Sequence, residues 1–302
     1  MTMRGQVRKL VKHDDINFML TNRWPRRALS RLFGRFSRIE QPLIRDFSIA
    51  VWRLFSDLDL AEAETRPFRS LRDCFTRRLK PGSRPIDRDP DILVSPCDAI
   101  VGAHGPIAGT RLYQIKGRDY PLEELLGDKA LADAHHHGCY VTLRLTSSMY
   151  HRFHAPHDCL VEAARYIPGD AWNVNPPALK RVDRLYCRNE RAVLQATLGD
   201  GAGRLTIVPV GAILVAGIRL NFIELGAVQK TRQKRLLACH ARFSKGEEMG
   251  WFEHGSTIVL LAPHGFAFCP NVREGGIIRM GEPLLRASAA RRGRARPAES
   301  RP

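Results

Sequence analysis

Three short segments carry side chains able to do nucleophilic or acid–base chemistry. Ser95 to Val101 reads S-P-C-D-A-I-V and sets Asp98 between a turn and a strand. Tyr150 to His157 reads Y-H-R-F-H-A-P-H, with histidines at 151, 154 and 157. His254-Gly255-Ser256-Thr257 stands at the entrance to the apolar run Ile258 to Ala262. Together they supply an acid, an imidazole and a hydroxyl, the parts of an activated nucleophile. The chain order is Asp, His, Ser. There is no G-x-S-x-G elbow, because Ser256 follows Glu253-His254-Gly255. On spacing alone a hydrolase stays open, and so does an ordinary loop entering a strand, with Asp98 as a turn former. A third reading makes the Gly255–Ser256 bond itself the reaction site. Glycine leaves its carbonyl uncrowded and tolerates a strained backbone, and a hydroxyl directly follows it.

The histidines do not read as a metal site. On a strand, i and i+3 point to opposite faces, and no carboxylate or cysteine is spaced to complete a ligand set. The triplet His135–His137 reads as a solvated loop. No metal is expected.

The elements that must position these groups fall into two textures. Residues 1–80 read as helical and basic: residues 1–55 hold 12 Lys+Arg against 4 Asp+Glu. Leu29, Leu32, Phe33 and Phe36 recur at helical spacing, with Arg27, Arg31 and Arg35 as a separate ridge. Such a helix can lie in an anionic interface or pack on the protein's own core. Phe47 to Phe55 reads as a second helix of the same layer. A Pro/Gly-rich break at Leu79 to Asp91 precedes a change to short strands. These are Ile92–Val94, Ala99–Val101, Tyr140–Leu145, Val193–Leu198, Leu205–Val210, Ile213–Ile218 and Ile258–Leu261, with one helix over Leu122–Ala134. The expected fold class is α+β: an N-terminal helical membrane-facing segment, then a mostly β catalytic body. The expected division is 1–80, 81–286, and a disordered basic tail over 287–302, where residues 286–302 hold 6 Arg and 1 Glu.

Bulk properties narrow the classes. The 302 residues, 44% hydrophobic and 26% charged, are enough for a sizeable globular core. A net charge of +17 fits a polyanion, either nucleic acid or an anionic membrane. Seven cysteines with no C-x-x-C pair read as reduced thiols rather than a disulfide framework. No signal peptide is evident. The longest uncharged apolar run, Leu205 to Ile218, has 14 residues, against the ~20 of a spanning helix. Pro209 and Gly211 divide it, so any membrane attachment is expected to be peripheral.

Seven segments in one order resemble the phosphatidylserine decarboxylase proenzymes, from about Phe68 to Leu285. They are F-T-R-R-L-K-P-G-S-R-P-I-D (75–87), S-P-C-D-A (95–99), I-K-G-R-D-Y-P-L-E-E-L-L-G (115–127), Y-H-R-F-H-A-P (150–156), G-D-A-W-N-V-N-P (169–176), V-P-V-G-A (208–212) and K-G-E-E-M-G-W-F-E-H-G-S-T (245–257). The resemblance implies self-cleavage. Ser256 Oγ attacks the Gly255 carbonyl, the amide becomes an ester, and elimination leaves Ser256 as an N-terminal pyruvoyl group, the covalent cofactor. A β chain (1–255) and an α chain (256–302) then form a heterodimer, and a homodimer of that unit is compatible with it. By the same resemblance Asp98, His154 and Ser256 form the processing triad. His151 assists turnover as a proton donor, and the ketone accepts the electrons released as CO2 leaves. The implied partner is phosphatidylserine in an anionic membrane, met peripherally on the cytoplasmic face and converted to phosphatidylethanolamine, with no nucleic acid.

The sequence departs from the common pattern at three places: His254 where leucine is usual, Ala99 where glycine is frequent, and Met149 where aspartate is frequent. Two rival readings remain. One is a related pyruvoyl decarboxylase of a soluble amino acid; the other is a non-catalytic basic membrane-binding protein.

Overall fold

The computed structural model describes residues 26–107, 109, 111–114, 118–199, 203–212, 217–253, 256–289 and 291. The basic start before residue 26, most of the 287–302 tail, the pair His254–Gly255 and residues 213–216 of one expected strand lie outside the described residues.

Helices come first. α1 spans Arg26–Phe36 and α2 spans Pro42–Phe55. Gln41 starts α2: its side-chain oxygen accepts from the Ile44 N–H at 2.7 Å, and Pro42 occupies the first turn, where no donor is needed. α3 (Leu71–Phe75) is capped by Ser70. The body then runs β1 (Ile92–Val94), β2 (Ala99–Pro106), β3 (Arg111–Gln114), β4 (Arg118–Pro121), α4 (Leu122–Leu126), α5 (Lys129–Asp133), β5 (Cys139–Leu145), β6 (Arg152–His154) and β7 (Cys159–Ile167). It continues with α6 (Pro176–Arg181), α7 (Leu185–Arg188), β8 (Arg191–Leu198), β9 (Arg204–Gly211), β10 (Ile218–Leu220), α8 (Gly226–Thr231), β11 (Arg235–Phe243) and β12 (Glu248–Phe252). Last come β13 (Ser256–Ala262), β14 (Phe266–Phe268), β15 (Ile277–Ile278) and β16 (Pro283–Ala287). The fold is α+β, as expected: short N-terminal helices followed by a largely antiparallel β body.

An eight-stranded sheet, in the order β11-β7-β8-β9-β13-β5-β2-β15, organises the body. β13 lies at its centre, antiparallel to β5 on one side and β9 on the other. Every residue of β13 is buried. The reason is in its sequence: Ile258, Leu260 and Ala262 enter the core on one face, Val259 and Leu261 the core on the other. The second core is closed by α4, α5, α6 and α7, through Leu122, Leu125, Leu131, Ala178 and Leu185. The first is closed by β1 and β16, and by the small sheet β10-β12-β6, which carries Phe153 and Phe252. An unbroken apolar strand is what burial on both faces requires.

Several expectations need correction. The helix expected over Leu122–Ala134 is two helices, because Gly127 adopts φ 64° and ends α4, and Asp128 then caps α5. The run from Leu205 to Ile218 does divide into two strands, β9 and β10, and Pro209 lies inside β9, within the expected strand Leu205–Val210. The β8–β9 register passes from Leu194↔Ile207 to Arg191↔Val210, so the missing proline N–H falls where that pairing skips. His135 is not in solvent. It is fully buried, with Nε2 2.7 Å from Thr206 Oγ1, and burial pushes its pKa down to about 4. The seven cysteines, by contrast, are free thiols as expected.

The apolar stripe of α1 is not absorbed by the protein's own core. Its buried positions are Ser30 and Ser37, the latter just past its end, whereas Leu32 is 66% exposed. No residue of α2 is buried, and Leu43 is 77% exposed. Among the described residues no helix is long and apolar enough to cross a membrane.

Candidate active site

Ser256 is the first residue of β13. Its register partners are Leu145 at the end of β5 and Gly211 at the end of β9. The central strand therefore delivers the serine to one edge of the sheet, fully buried, and its Oγ has no hydrogen-bond partner among the described residues. A buried hydroxyl without a partner is costly unless the site uses it.

That edge borders a cavity of about 610 Å³. Its floor includes Leu145, which pairs with Ser256, and Ala212, the neighbour of the other partner Gly211. Its roof is aromatic: Phe33 and Phe36 from α1, Phe47 and Trp52 from α2, and Phe75 from α3. Trp52 stacks on Phe75 at 5.6 Å between ring centres. Phe75 in turn meets the His151 ring at 3.9 Å. His151 is fully buried, its Nδ1 lies 2.9 Å from the Met149 carbonyl, and its own carbonyl accepts from Phe252 N–H at 2.9 Å. The last bond ties His151 to the strand that leads into residues 254–256.

His154 lies in β6. Its backbone N–H donates to the Pro96 carbonyl at 2.8 Å, which draws the segment holding Asp98 against β6. Its ring is held at both nitrogens. Nδ1 is 2.9 Å from the Gly246 carbonyl, and Nε2 is 3.0 Å from the Tyr150 hydroxyl. A carbonyl oxygen only accepts, so Nδ1 carries the proton and Nε2 accepts from Tyr150. Burial pushes the His154 pKa below its ordinary value, partly countered by the bond to Gly246. The imidazole is therefore neutral at pH 7, with its basic lone pair on Nε2.

Asp98 is engaged elsewhere. Arg84 donates Nε to Oδ1 at 2.9 Å and Nη2 to Oδ2 at 2.6 Å, and the Met280 N–H reaches Oδ1 at 2.9 Å. Arg84 also holds Glu62 at 2.8 Å. The fold thus brings the Asp98 and His154 segments together but does not join their side chains by a hydrogen bond. Gly246, not Asp98, sets the imidazole tautomer, and His154 does not bond to Ser256. The third histidine of the motif, His157, is half-buried, with Nε2 2.9 Å from the Pro90 carbonyl.

The segment before Ser256 is anchored by a group that sequence reasoning did not single out. Glu253 is 3% exposed. Its carboxylate meets the guanidinium of Arg72 from α3, Arg219 Nε at 3.1 Å from β10, and Arg38 Nη2 at 4.0 Å from the chain after α1. Three cations, from α3, β10 and the segment after α1, converge on one carboxylate two residues before Gly255. Tyr150 and Arg84 were also missed as partners, although both lie inside motifs quoted for the resemblance. A carboxylate inside the apolar run W-F-E was the visible signal for Glu253.

Comparison with known proteins bears on this geometry. The family described as phosphatidylserine decarboxylase matches residues 71–286. A phosphatidylserine decarboxylase proenzyme of Brevibacillus brevis is 34% identical over 282 residues, covering 89% of this chain and 97% of the relative. The proenzyme of Alcanivorax borkumensis is 36% identical, covering 85% and 90%. That of an Anaeromyxobacter species is 36% identical, covering 86% and 94%. By class the protein is a carboxy-lyase made as a proenzyme. The chain belongs to the phosphatidylserine decarboxylase family. That family is pyruvoyl-dependent, and the word proenzyme implies cleavage into two chains.

Proposed function

We propose that this decarboxylase matures by cleaving itself between Gly255 and Ser256, and that Ser256 becomes its pyruvoyl group. The observation that carries the reading is the Ser256 hydroxyl: buried, without a partner among the described residues, and at the sheet edge beside the cavity. This setting fits a group that must be made from Ser256 itself. In processing, Ser256 Oγ bonds to the Gly255 carbonyl carbon while the Gly255–Ser256 C–N bond breaks, leaving an ester and a free amine. Loss of the Ser256 Cα proton then breaks the Cβ–O bond, freeing Gly255 as a carboxylate and leaving a dehydroalanine end; its imine tautomer takes up water and releases ammonia, which leaves the ketone. The products are chains 1–255 and 256–302, held as a heterodimer.

His154 is the base for these proton transfers, because its neutral ring offers a lone pair at pH 7. Asp98 supports the charge that forms there through space, while Arg84 holds it in position. In turnover the pyruvoyl ketone supplies an electron sink for the bond that releases CO2. His151, packed under Phe75 at the cavity wall, donates the proton that replaces the carboxylate.

The membrane is met peripherally, through residues 1–80. Exposed Leu32, Leu43, Phe47 and Phe55 share α1 and α2 with exposed Arg31, Arg35 and Arg53. Apolar groups among cations suit the interface of an anionic bilayer. The aromatic cavity under these helices gives the acyl chains a path toward Ser256. That path favours a lipid over a soluble amino acid as substrate.

The test is the denatured mass spectrum of the purified protein, with Ser256→Ala as control. Two chains dividing after Gly255, the smaller with a carbonyl-reactive blocked N-terminus, are expected from the wild type, and one chain from the variant. A single 34.1 kDa wild-type chain, or a cleaved Ser256→Ala, would overturn the reading.

A further inference from the structure

Among the described residues that line the cavity one side chain is charged: Arg144, near the end of β5. It faces Thr257 in register, so it lies one residue from Ser256 at the sheet edge, its side chain leaving the opposite face from that of Ser256, and the cavity spans the edge between them by also taking in Leu145. It forms no hydrogen bond or ion pair with any described residue. Glu274 borders an adjoining cavity of about 170 Å³ that also reaches Arg144, without pairing to it. Burial pushes the guanidinium pKa below its ordinary value, the mark of a cation removed from water without a fixed counter-charge. Ser147, Asn173 and Asn175 add polar groups on the same wall. The remainder of the cavity is largely aromatic and aliphatic. A cavity with greasy walls and one cation is complementary to an amphiphile with an anionic head.

We infer that Arg144 is the subsite for the phosphodiester of the phospholipid head group. The inference rests on the reading of Ser256 as the reacting centre, since it measures the head group from there. The alternative anion, the substrate carboxylate, fits the chemistry poorly. That carboxylate is lost as CO2, so an ion pair to it would be stronger in the ground state than in the transition state and would slow the reaction. The phosphodiester keeps its charge throughout, so binding it is uniform along the reaction. A planar guanidinium also matches two phosphate oxygens at once. Arg144 is thus a specificity residue for the phospholipid over free serine, acting on KM rather than on kcat.

The test uses processed full-length protein with phosphatidylserine in nonionic mixed micelles. Arg144→Gln is expected to raise KM about tenfold or more while kcat stays within about twofold. Arg144→Lys, a cation without the planar fork, should fall between. Glycerophosphoethanolamine should compete in the wild type and lose most of its inhibition in Arg144→Gln, whereas ethanolamine should compete in neither. Inorganic phosphate separates the sources: competition by it marks a general phosphate subsite, and its failure beside an effective glycerophosphoethanolamine marks recognition of the ester. An unchanged KM, a fall in kcat alone, or inhibition that persists in Arg144→Gln would overturn the assignment. So would failure of both variants to process, since Arg144 would then be a folding residue. A wild type that lacks the pyruvoyl group or releases no CO2 would instead overturn the reading of Ser256.

Discussion

The hydroxyl of Tyr150 donates to Nε2 of His154 at 3.0 Å, while Nδ1 of the same ring donates to the Gly246 carbonyl at 2.9 Å. Both partners favour the neutral imidazole with one defined tautomer. Tyr150→Phe keeps the buried ring and removes only the donor to the lone pair. The neutral form then loses stabilisation, so the His154 pKa rises. A neutral hydrogen bond of about 1 kcal/mol corresponds to about 0.7 pH unit. The acid limb of the self-cleavage rate should move to higher pH by roughly that amount, measured on freshly synthesised precursor. An unmoved limb would remove His154 from the role of base.

Glu253 and its arginines should govern presentation of the Gly255 carbonyl. Glu253→Gln leaves Arg72 and Arg219 beside an uncharged amide. Breaking a buried pair on one side costs about 3–5 kcal/mol, so the melting temperature should fall and self-cleavage should slow. The double variant Arg72→Met with Glu253→Met restores apolar packing and should recover part of the stability. Cleavage should remain slow in it if the clamp positions the segment. Cleavage that recovers together with melting temperature would reduce the clamp to a contribution to stability.

The open face of α1 and α2 makes a prediction about membranes. Leu32 is 66% exposed, Leu43 77% and Phe55 63%. Replacing all three by serine removes nothing from the core, so the melting temperature should hold. Each large apolar side chain contributes about 1.5–3 kcal/mol when fully buried. Partition onto anionic vesicles should drop about 100-fold or more, with a smaller change on vesicles of neutral lipid. Unaltered binding in a flotation assay would move the contact to another surface.

His135 should make the protein acid-sensitive. Its pKa is lowered from 6.5 to about 4 in the folded chain, chiefly by burial. Below 6.5 the unfolded chain takes up a proton that the folded chain refuses, so stability falls as pH drops and the loss is complete near pH 4. Above 6.5 both states are neutral and the contribution is constant. The window corresponds to about 3 kcal/mol. His135→Gln should flatten the dependence of stability on pH between 6.5 and 4, read by urea denaturation. An equally steep dependence in the variant would place the acid sensitivity at other groups.

Much of the architecture was legible in the chain. Ile258 to Ala262 reads as a strand buried on both faces because no polar side chain interrupts it, and β13 is the centre of the sheet for that reason. The spacing Leu29, Leu32, Phe33 and Phe36 marks α1, since helical periodicity is a local property. Other strands were silent. β11 (Arg235–Phe243) has exposed and half-buried residues along most of its length, because it is the outermost strand and packs one face at most. β6 is three residues long, too short for any periodicity.

The sequence by itself determined which groups are present and in what order: an acid at 98, histidines at 151 and 154, and a serine after glycine at the head of an apolar strand. Only the tertiary structure decided their partners. Asp98 belongs to Arg84, the His154 tautomer to Gly246 and Tyr150, Glu253 to three arginines, and Arg144 to the cavity. Each of these contacts but the Tyr150 bond joins residues far apart in the chain. Hydrogen bonds and ion pairs need placement to within a few tenths of an ångström. Local periodicity carries no such information; the packing of one sheet between two cores does.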